Sequence, residues 1–393
     1  MPRTITNTPE GTRDLLYADC RGRRRVQGKI TDVFKRRGYS EISTPAVEYY
    51  DVFTQSGSAI PQESLLKLVD RNGRITVMRP DCTTPIGRVA ATKLRDEPLP
   101  QRLFYNETIF RSTAAHIGRS SEIAQCGIEL IGAKGIRGDV EAVVIAVEAI
   151  ENCGAERFRI ELGHAGFFKA LARELMADAD TLENVRTLTE QKSFAALNDL
   201  LSAYRDRPSY AALSRLSRLF GGSEVIGEAR SLTKNEEALA ALDYLSEVYA
   251  RLENAGYGEK IGFDLGMVHQ IDYYTGLVFQ GYIEGTGHVV LSGGRYDGLL
   301  ASFGRPAPAT GFAIDVDGVA SSLPQSELKR PKCMIHYDMD RLSEALTLQQ
   351  TFERGECELS CCDTEYESAA LAKEKKIKTL IVLSGNGKRE VSL

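Results

Sequence analysis

Two runs near the C-terminal third, IDYYTGLVF at 271–279 and SGGRYDGLLASFG at 292–304, decide how this chain is read. Each sets β-branched and aromatic residues beside paired glycines and tyrosines. That pattern suits strands whose backbones approach something closely. They belong to a longer β-rich region that begins at IGFDLGMVHQ (261–270), continues through HVVLSGGRYDG and closes with ATGFAIDVDGVASSL (309–323). Asp297, after Tyr296, fits a turn between two such strands.

Working outward, residues 167–254 change character: Leu, Ala, Glu and Arg dominate with helical spacing, which predicts a helical insertion. Before it, the spacing predicts a helix over 139–152, a strand near Phe158–Leu162, and a strand pair at 102–111 and 122–132. Residues 65–80 form a hairpin around Arg71-Asn72-Gly73, whose turn needs residues that tolerate positive φ. Residues 39–48 alternate as one strand that meets Pro45. Residues 18–37 carry Val26, Ile30, Val33 and Phe34 on one helical face and stop at Gly38, a good helix terminator. The cluster Arg21, Arg23, Arg24 and Arg25 reads as the solvated face of that helix. Beyond 320, SSLPQSELKRPK (321–332) is a polar, proline-bearing linker. Residues 333–393 then alternate β and α as a small α/β unit.

The whole chain has 393 residues, 42% hydrophobic and 26% charged, which fits a globular protein of more than one domain. No apolar run approaches the roughly 20 residues that span a bilayer. The N-terminus lacks a secretory pattern, so a cytoplasmic location is expected, with no membrane partner. Eight cysteines, at 20, 82, 126, 153, 333, 357, 361 and 362, lie without C-x-x-C spacing or nearby histidines. Reduced thiols are expected, with no metal site. The net charge of −5 gives no nucleic-acid signature.

Gly38–Glu48, GYSEISTPAVE, is similar to the first signature of class II aminoacyl-tRNA synthetases, whose proline sits at a homodimer interface. TPEGTRDLL (8–16) and DRNGRITVMRPDCTTPIGR (70–88) resemble the opening and the Arg-Pro-Glu-x-Thr strand pair of histidyl-tRNA synthetases. IDYYTGLVF and GGRYDGL resemble that family's two histidine-specific signatures, and GFAIDVDGV occupies the place of the third class II motif. The matches keep their order over roughly residues 5–320. The resemblance implies an α+β fold: an antiparallel sheet flanked by helices, dimeric, with a pocket on the sheet face.

A site for free histidine needs acceptors for its amine, a donor for its carboxylate and a polar pair for its ring. By resemblance, Asp81 (where the family usually has Glu), Thr83 and Gln125 surround the amine, while Glu129 and Tyr274 grip the imidazole. Tyr273 belongs to the same signature. Tyr296 closes one wall, Gly293 and Gly294 allow close backbone approach, and Arg111 points to the carboxylate or a phosphate.

The adenylate chemistry of that family is missing here. It needs cations around phosphates and a stacking wall for the base. Arg111 is present, but the next glutamate position is Thr113 and the stacking position is Ile123. The arginine opening the histidine signature is replaced in Val268-His269-Gln270-Ile271-Asp272. In the third motif the arginine is Gly318, and Asp315 adds negative charge where phosphates would lie. His269 is a weak substitute, being mostly neutral at pH 7. No catalytic residue and no cofactor are expected.

A histidine site kept without ATP machinery resembles the regulatory-subunit family of the short-form ATP phosphoribosyltransferase, the first enzyme of histidine biosynthesis. That resemblance implies a hetero-octamer with a catalytic subunit, required for its activity, and allosteric feedback by histidine. The alternatives are a divergent but active histidyl-tRNA synthetase, or a synthetase-like ligase for another acceptor. The short tail is either a remnant of a synthetase's anticodon-binding domain or a different small unit.

Overall fold

The computed structural model describes residues 6–54, 60–112, 120–268, 273–324 and 331–393. It divides into two compact units, Met1–Gln325 and Ser326–Leu393. Thr113, His269, Gln270, Ile271, Asp272 and linker residues 325–330 lie outside the described residues.

The first unit is built on the strand pair Gln101–Phe110 and Glu122–Ile131, antiparallel in unbroken register from Gln101↔Ile131 to Phe110↔Glu122. It extends to a nine-stranded sheet in the order Ser40–Glu41, Gln101–Phe110, Glu122–Ile131, Ala309–Asp315, Leu291–Arg295, Leu277–Ile283, Phe158–His164, Ile261–Asp264, Phe220–Gly221. The six strands from Gln101–Phe110 to Phe158–His164 are antiparallel neighbours. Parallel pairing flanks them, at Ser40–Glu41 and at Ile261–Asp264. The sheet is therefore mixed, with an antiparallel centre.

Helices Tyr17–Arg36 and Ile136–Cys153 cover one face. The expected stripe Val26, Ile30, Val33 and Phe34 is buried to 2% exposure or less, against Phe104, Ile128 and the alanine-rich side of the second helix. The first helix ends in a Schellman motif. The Tyr39 N–H donates to Phe34 O and the Gly38 N–H to Lys35 O, with Gly38 at φ +78°. Arg23, expected on a solvated face, instead forms a two-pronged, half-buried ion pair with Asp317.

Residues 39–48 do not form one strand. Pro45 has no N–H to give a ladder, and the chain switches sheets across it. Ser40–Glu41 joins the large sheet, whereas Val47–Tyr49 pairs with Ile75–Met78 in a three-stranded sheet completed by Lys67–Val69. The hairpin turn between the last two strands places Gly73 at φ +78°.

Six helices from Ala165–Leu175 to Glu236–Asn254 fill the insertion, and their apolar faces join the main core. Between them, Phe220–Gly221 returns to edge the large sheet beside Asp264 and Phe263. One buried ion pair ties these layers together. The Arg295 guanidinium lies 2.8 Å from Asp139 in the Ile136–Cys153 helix, and Tyr244 of the last insertion helix donates to the same carboxylate at 2.5 Å.

The second unit carries a sheet in the order Cys357–Leu359, Cys333–Tyr337, Thr379–Ser384, Gly387–Ser392, flanked by helices Leu342–Gln350 and Glu365–Glu374. The first three strands are parallel. The last turns back antiparallel through a two-residue loop, Gly385-Asn386. No helix among the described residues is long and apolar enough to cross a membrane.

Removing one partner of a buried pair leaves the other charge uncompensated. Arg295→Met should therefore lower stability by about 3 kcal/mol, read by urea denaturation, and Asp139→Asn should cost less because it keeps hydrogen-bonding capacity.

Candidate ligand pocket

Alternation along Glu122–Ile131 sends Ala124, Cys126, Ile128 and Leu130 into the helix-side core. It leaves Ile123, Gln125, Gly127, Glu129 and Ile131 for the opposite face. On that face Leu103, Tyr105, Ile109, Ile131, Tyr296, Leu299 and Leu300 form a second apolar cluster, with Ile123 and Tyr273 packed on its margin. Glu129 stands among them at 2% exposure.

A carboxylate so placed needs hydrogen bonds. Thr83, the first residue of helix Thr83–Ala91, donates its hydroxyl to Glu129 Oε1 at 2.6 Å, and the Tyr296 hydroxyl donates to Oε2. Burial, with Asp81 as a like-charged neighbour, pushes the Glu129 carboxyl up to about 8 against the pull of those two hydroxyls. The Gly311 residue opposite it in register makes room, because a Cβ there would strike the Glu129 carboxylate and Ile128 O. Tyr296, expected to close one wall, thus also holds the carboxylate expected to meet the imidazole.

Asp81 accepts the Thr84 N–H at 2.8 Å and the Thr84 hydroxyl at 3.2 Å, so its carboxylate braces the start of the helix. Burial raises its proton affinity, while the nearby charge of Arg111 lowers it. Arg111 is anchored by its Nε, which donates to Pro80 O at 2.8 Å. Gln125 accepts the Tyr105 hydroxyl at 2.9 Å. Tyr273 stacks on Tyr296, with ring centroids 5.2 Å apart and planes 17° from parallel, and Tyr274 meets Tyr273 edge-on at 5.2 Å. The buried Tyr273 hydroxyl lies beside Thr83 and has no hydrogen bond of ordinary geometry among the described residues. Gly294 lets the Tyr274 ring lie against the sheet, since a Cβ would come within 2.8 Å of it.

All eight residues expected from the sequence therefore lie on or beside this one face. Tyr105, Gly127 and Gly311 were missed. Their signals were present: Tyr105 alternates with Leu103, and a glycine inside a strand marks close approach. A Cβ on Gly127 would strike the Tyr105 hydroxyl.

The neighbouring third-motif segment holds its charges in structural contacts. Asp315 caps helix Val316–Ser322, accepting from the Asp317 and Gly318 N–H groups at 3.1 Å each, and Asp317 is engaged by Arg23. A side chain at Gly318 would crowd Asp315 and His288. Among the described residues, no group of three or more His, Cys, Asp or Glu is placed to hold a metal ion.

The fold and the pocket face together define a histidyl-tRNA-synthetase-like class II domain. A family model described as "Histidyl-tRNA synthetase" matches residues 11–319. A histidyl-tRNA synthetase from Nostoc shares the fold, with a TM-score of 0.76 at 18% identity over 98% of this chain and 96% of that one. More specific similarity lies within this class. The chain is 41% identical over 381 residues to an ATP phosphoribosyltransferase regulatory subunit of Clostridium kluyveri, spanning 95% of this chain and 97% of that protein. A Bacillus cereus protein of the same name is 36% identical over 382 residues, 95% of this chain and 90% of that protein. A Bacillus halodurans structure titled as an ATP phosphoribosyltransferase regulatory subunit/histidyl-tRNA synthetase superposes with a TM-score of 0.85 at 30% identity, over 97% and 99% of the two chains. The chain belongs to the ATP phosphoribosyltransferase regulatory subunit family, a branch of the histidyl-tRNA synthetase fold.

The folded chain keeps the Glu129 proton up to about pH 8, whereas the unfolded chain releases it near the ordinary value of 4.5. Stability from this group is therefore lost as pH rises between those values, and levels off above them. Glu129→Gln, which mimics the protonated acid, should stabilise the chain at pH 9 by on the order of 2 kcal/mol and change little at pH 4. Thermal melts at both pH values check this.

Proposed function

We propose that this chain is the non-catalytic regulatory subunit on which a short-form ATP phosphoribosyltransferase catalytic subunit depends, and that its sheet-face pocket senses free histidine. The observation that carries the reading is Glu129: a buried carboxylate held by Thr83 and Tyr296, walled by tyrosines, beside a third motif whose arginine position is Gly318. Such a pocket suits a small cationic, ring-bearing ligand and offers little to a triphosphate. The names of the relatives agree with a regulatory role in histidine biosynthesis.

In this reading the imidazole donates an N–H to Glu129, whose two oxygens each keep a lone pair beyond the bonds from Thr83 and Tyr296. Asp81, Thr83 and Gln125 face the amine, and Arg111 the carboxylate. Tyr273 and Tyr274 cover the ring. Two copies of the chain pair through the Gly38–Glu48 region, and the dimers join catalytic subunits in a hetero-octamer in the cytoplasm. Feedback requires histidine to bind the inhibited quaternary state more tightly than the active one.

The competing reading, a divergent active synthetase, requires phosphate cations. Asp315 is committed to a helix cap and Arg23 is neutralised by Asp317, so neither contact gives a triphosphate a positive charge. Histidine-dependent exchange of pyrophosphate into ATP would support it.

The reading is tested by assaying a short-form catalytic subunit with and without this chain across a histidine titration. Activity should rise on adding the chain and fall with histidine; no change in either would overturn the reading. With Glu129→Ala the complex should still assemble and activate, while histidine inhibition weakens at least tenfold, the order expected for a lost charge-assisted hydrogen bond.

Histidine binding should also release protons from Glu129 below about pH 8, so affinity rises from pH 7 to 8. Calorimetry in two buffers of different ionisation heat measures this, and Glu129→Gln should abolish that component.

A further inference from the structure

On the helix side of the sheet, opposite the pocket, a cavity of about 760 Å³ is lined by four arginines from four elements. Arg37 follows the first helix, Arg102 lies on strand Gln101–Phe110, Arg137 is in the first turn of helix Ile136–Cys153, and Arg251 is in the last turn of helix Glu236–Asn254. We propose that this cavity is an anion site that takes a small organic phosphate of about mononucleotide size.

Four guanidinium groups lining one concavity repel each other unless negative charge is supplied. Three have carboxylate partners: Arg37 with Glu148, Arg102 with Glu141 at 2.8 and 2.9 Å, and Arg251 with Glu247. Arg137 is exposed and has no such partner among the described residues, so one positive charge is left over. The existing pairs are partly solvent-exposed and hold weakly. A phosphate carries more charge than a carboxylate and takes guanidinium groups two-pronged, so it can recruit them.

The helix that bears Arg137 starts at Gly135 without a side-chain cap, which adds positive potential at the same end. Apart from Glu141, already paired with Arg102, and Gly38, the rest of the lining is apolar, with Val140, Val144 and Ile145 forming a shelf. An inorganic ion would leave that shelf uncovered. A phosphate attached to a flat or sugar-like body would cover it, and the volume falls within the roughly 300–1,000 Å³ of small-molecule sites.

The test is calorimetric titration of the full chain with AMP, with adenosine and with inorganic phosphate. AMP should bind, adenosine should bind at least about tenfold more weakly, and Arg137→Gln should weaken AMP about tenfold, the order of one charge-assisted contact. Arg251→Gln should also weaken AMP. The melting temperature of Arg137→Gln should stay unchanged, because that side chain is exposed and unpaired. No AMP binding at millimolar concentration would overturn the proposal, as would affinity unaffected by either substitution. Phosphate binding without AMP binding would overturn the organic ligand. Loss of AMP binding in Arg111→Gln with retention in Arg137→Gln would place the phosphate on the other sheet face, and so overturn the site.

Discussion

The site depends on one arrangement: the Glu129 carboxylate buried among aromatic and aliphatic side chains, with a hydroxyl on each oxygen. A carboxyl in apolar surroundings favours its protonated form unless charge or hydrogen bonding compensates, and here two hydroxyls compensate only in part. Much around it exists to make that burial possible. Gly311 clears the neighbouring strand, Tyr296 is packed flat against Tyr273, and Thr83 is fixed at the head of a helix that Asp81 braces. The Arg295–Asp139 pair holds the strand that leads into Tyr296 against the helix layer behind it. The result is a polar point left incompletely satisfied, which a ring N–H can complete.

The same economy of charge explains what the pocket's surroundings do not offer. In the third-motif segment, one carboxylate caps a helix and the other holds an arginine of the first helix. Those contacts stabilise the fold locally, and they neutralise Arg23. On the reading proposed above, a buried carboxylate beside a third motif whose charges serve structural contacts suits the binding of a small ligand better than adenylate formation.

How much of this was legible in the sequence depended on range. The stripe Val26, Ile30, Val33 and Phe34, the strand pair 102–111 and 122–132, and the helical insertion were readable because helix and strand periods are local. What failed was pairing at a distance. Nothing near Pro45 says that the chain will change sheets there, and the two residues Phe220–Gly221 are too short to carry a strand pattern. The final strand, Gly387–Ser392, did have a signal in its Gly-Asn turn, though its polar, exposed residues lack the apolar alternation of a half-buried strand. In the site, the residue types were readable through the ordered motifs, but their bonds were not. Thr83 and Glu129 are 46 positions apart and Tyr296 is 167 from Glu129, so only the folded sheet reveals that Thr83 and Tyr296 hold the carboxylate.

The most direct test of the central claim is a crystal structure of this chain assembled with a short-form catalytic subunit and grown with histidine. The imidazole is expected within hydrogen-bonding distance of Glu129, with the ring beneath Tyr273 and Tyr274 and the carboxylate toward Arg111. Histidine seated elsewhere, with Glu129 still bonded only to Thr83 and Tyr296, would contradict it.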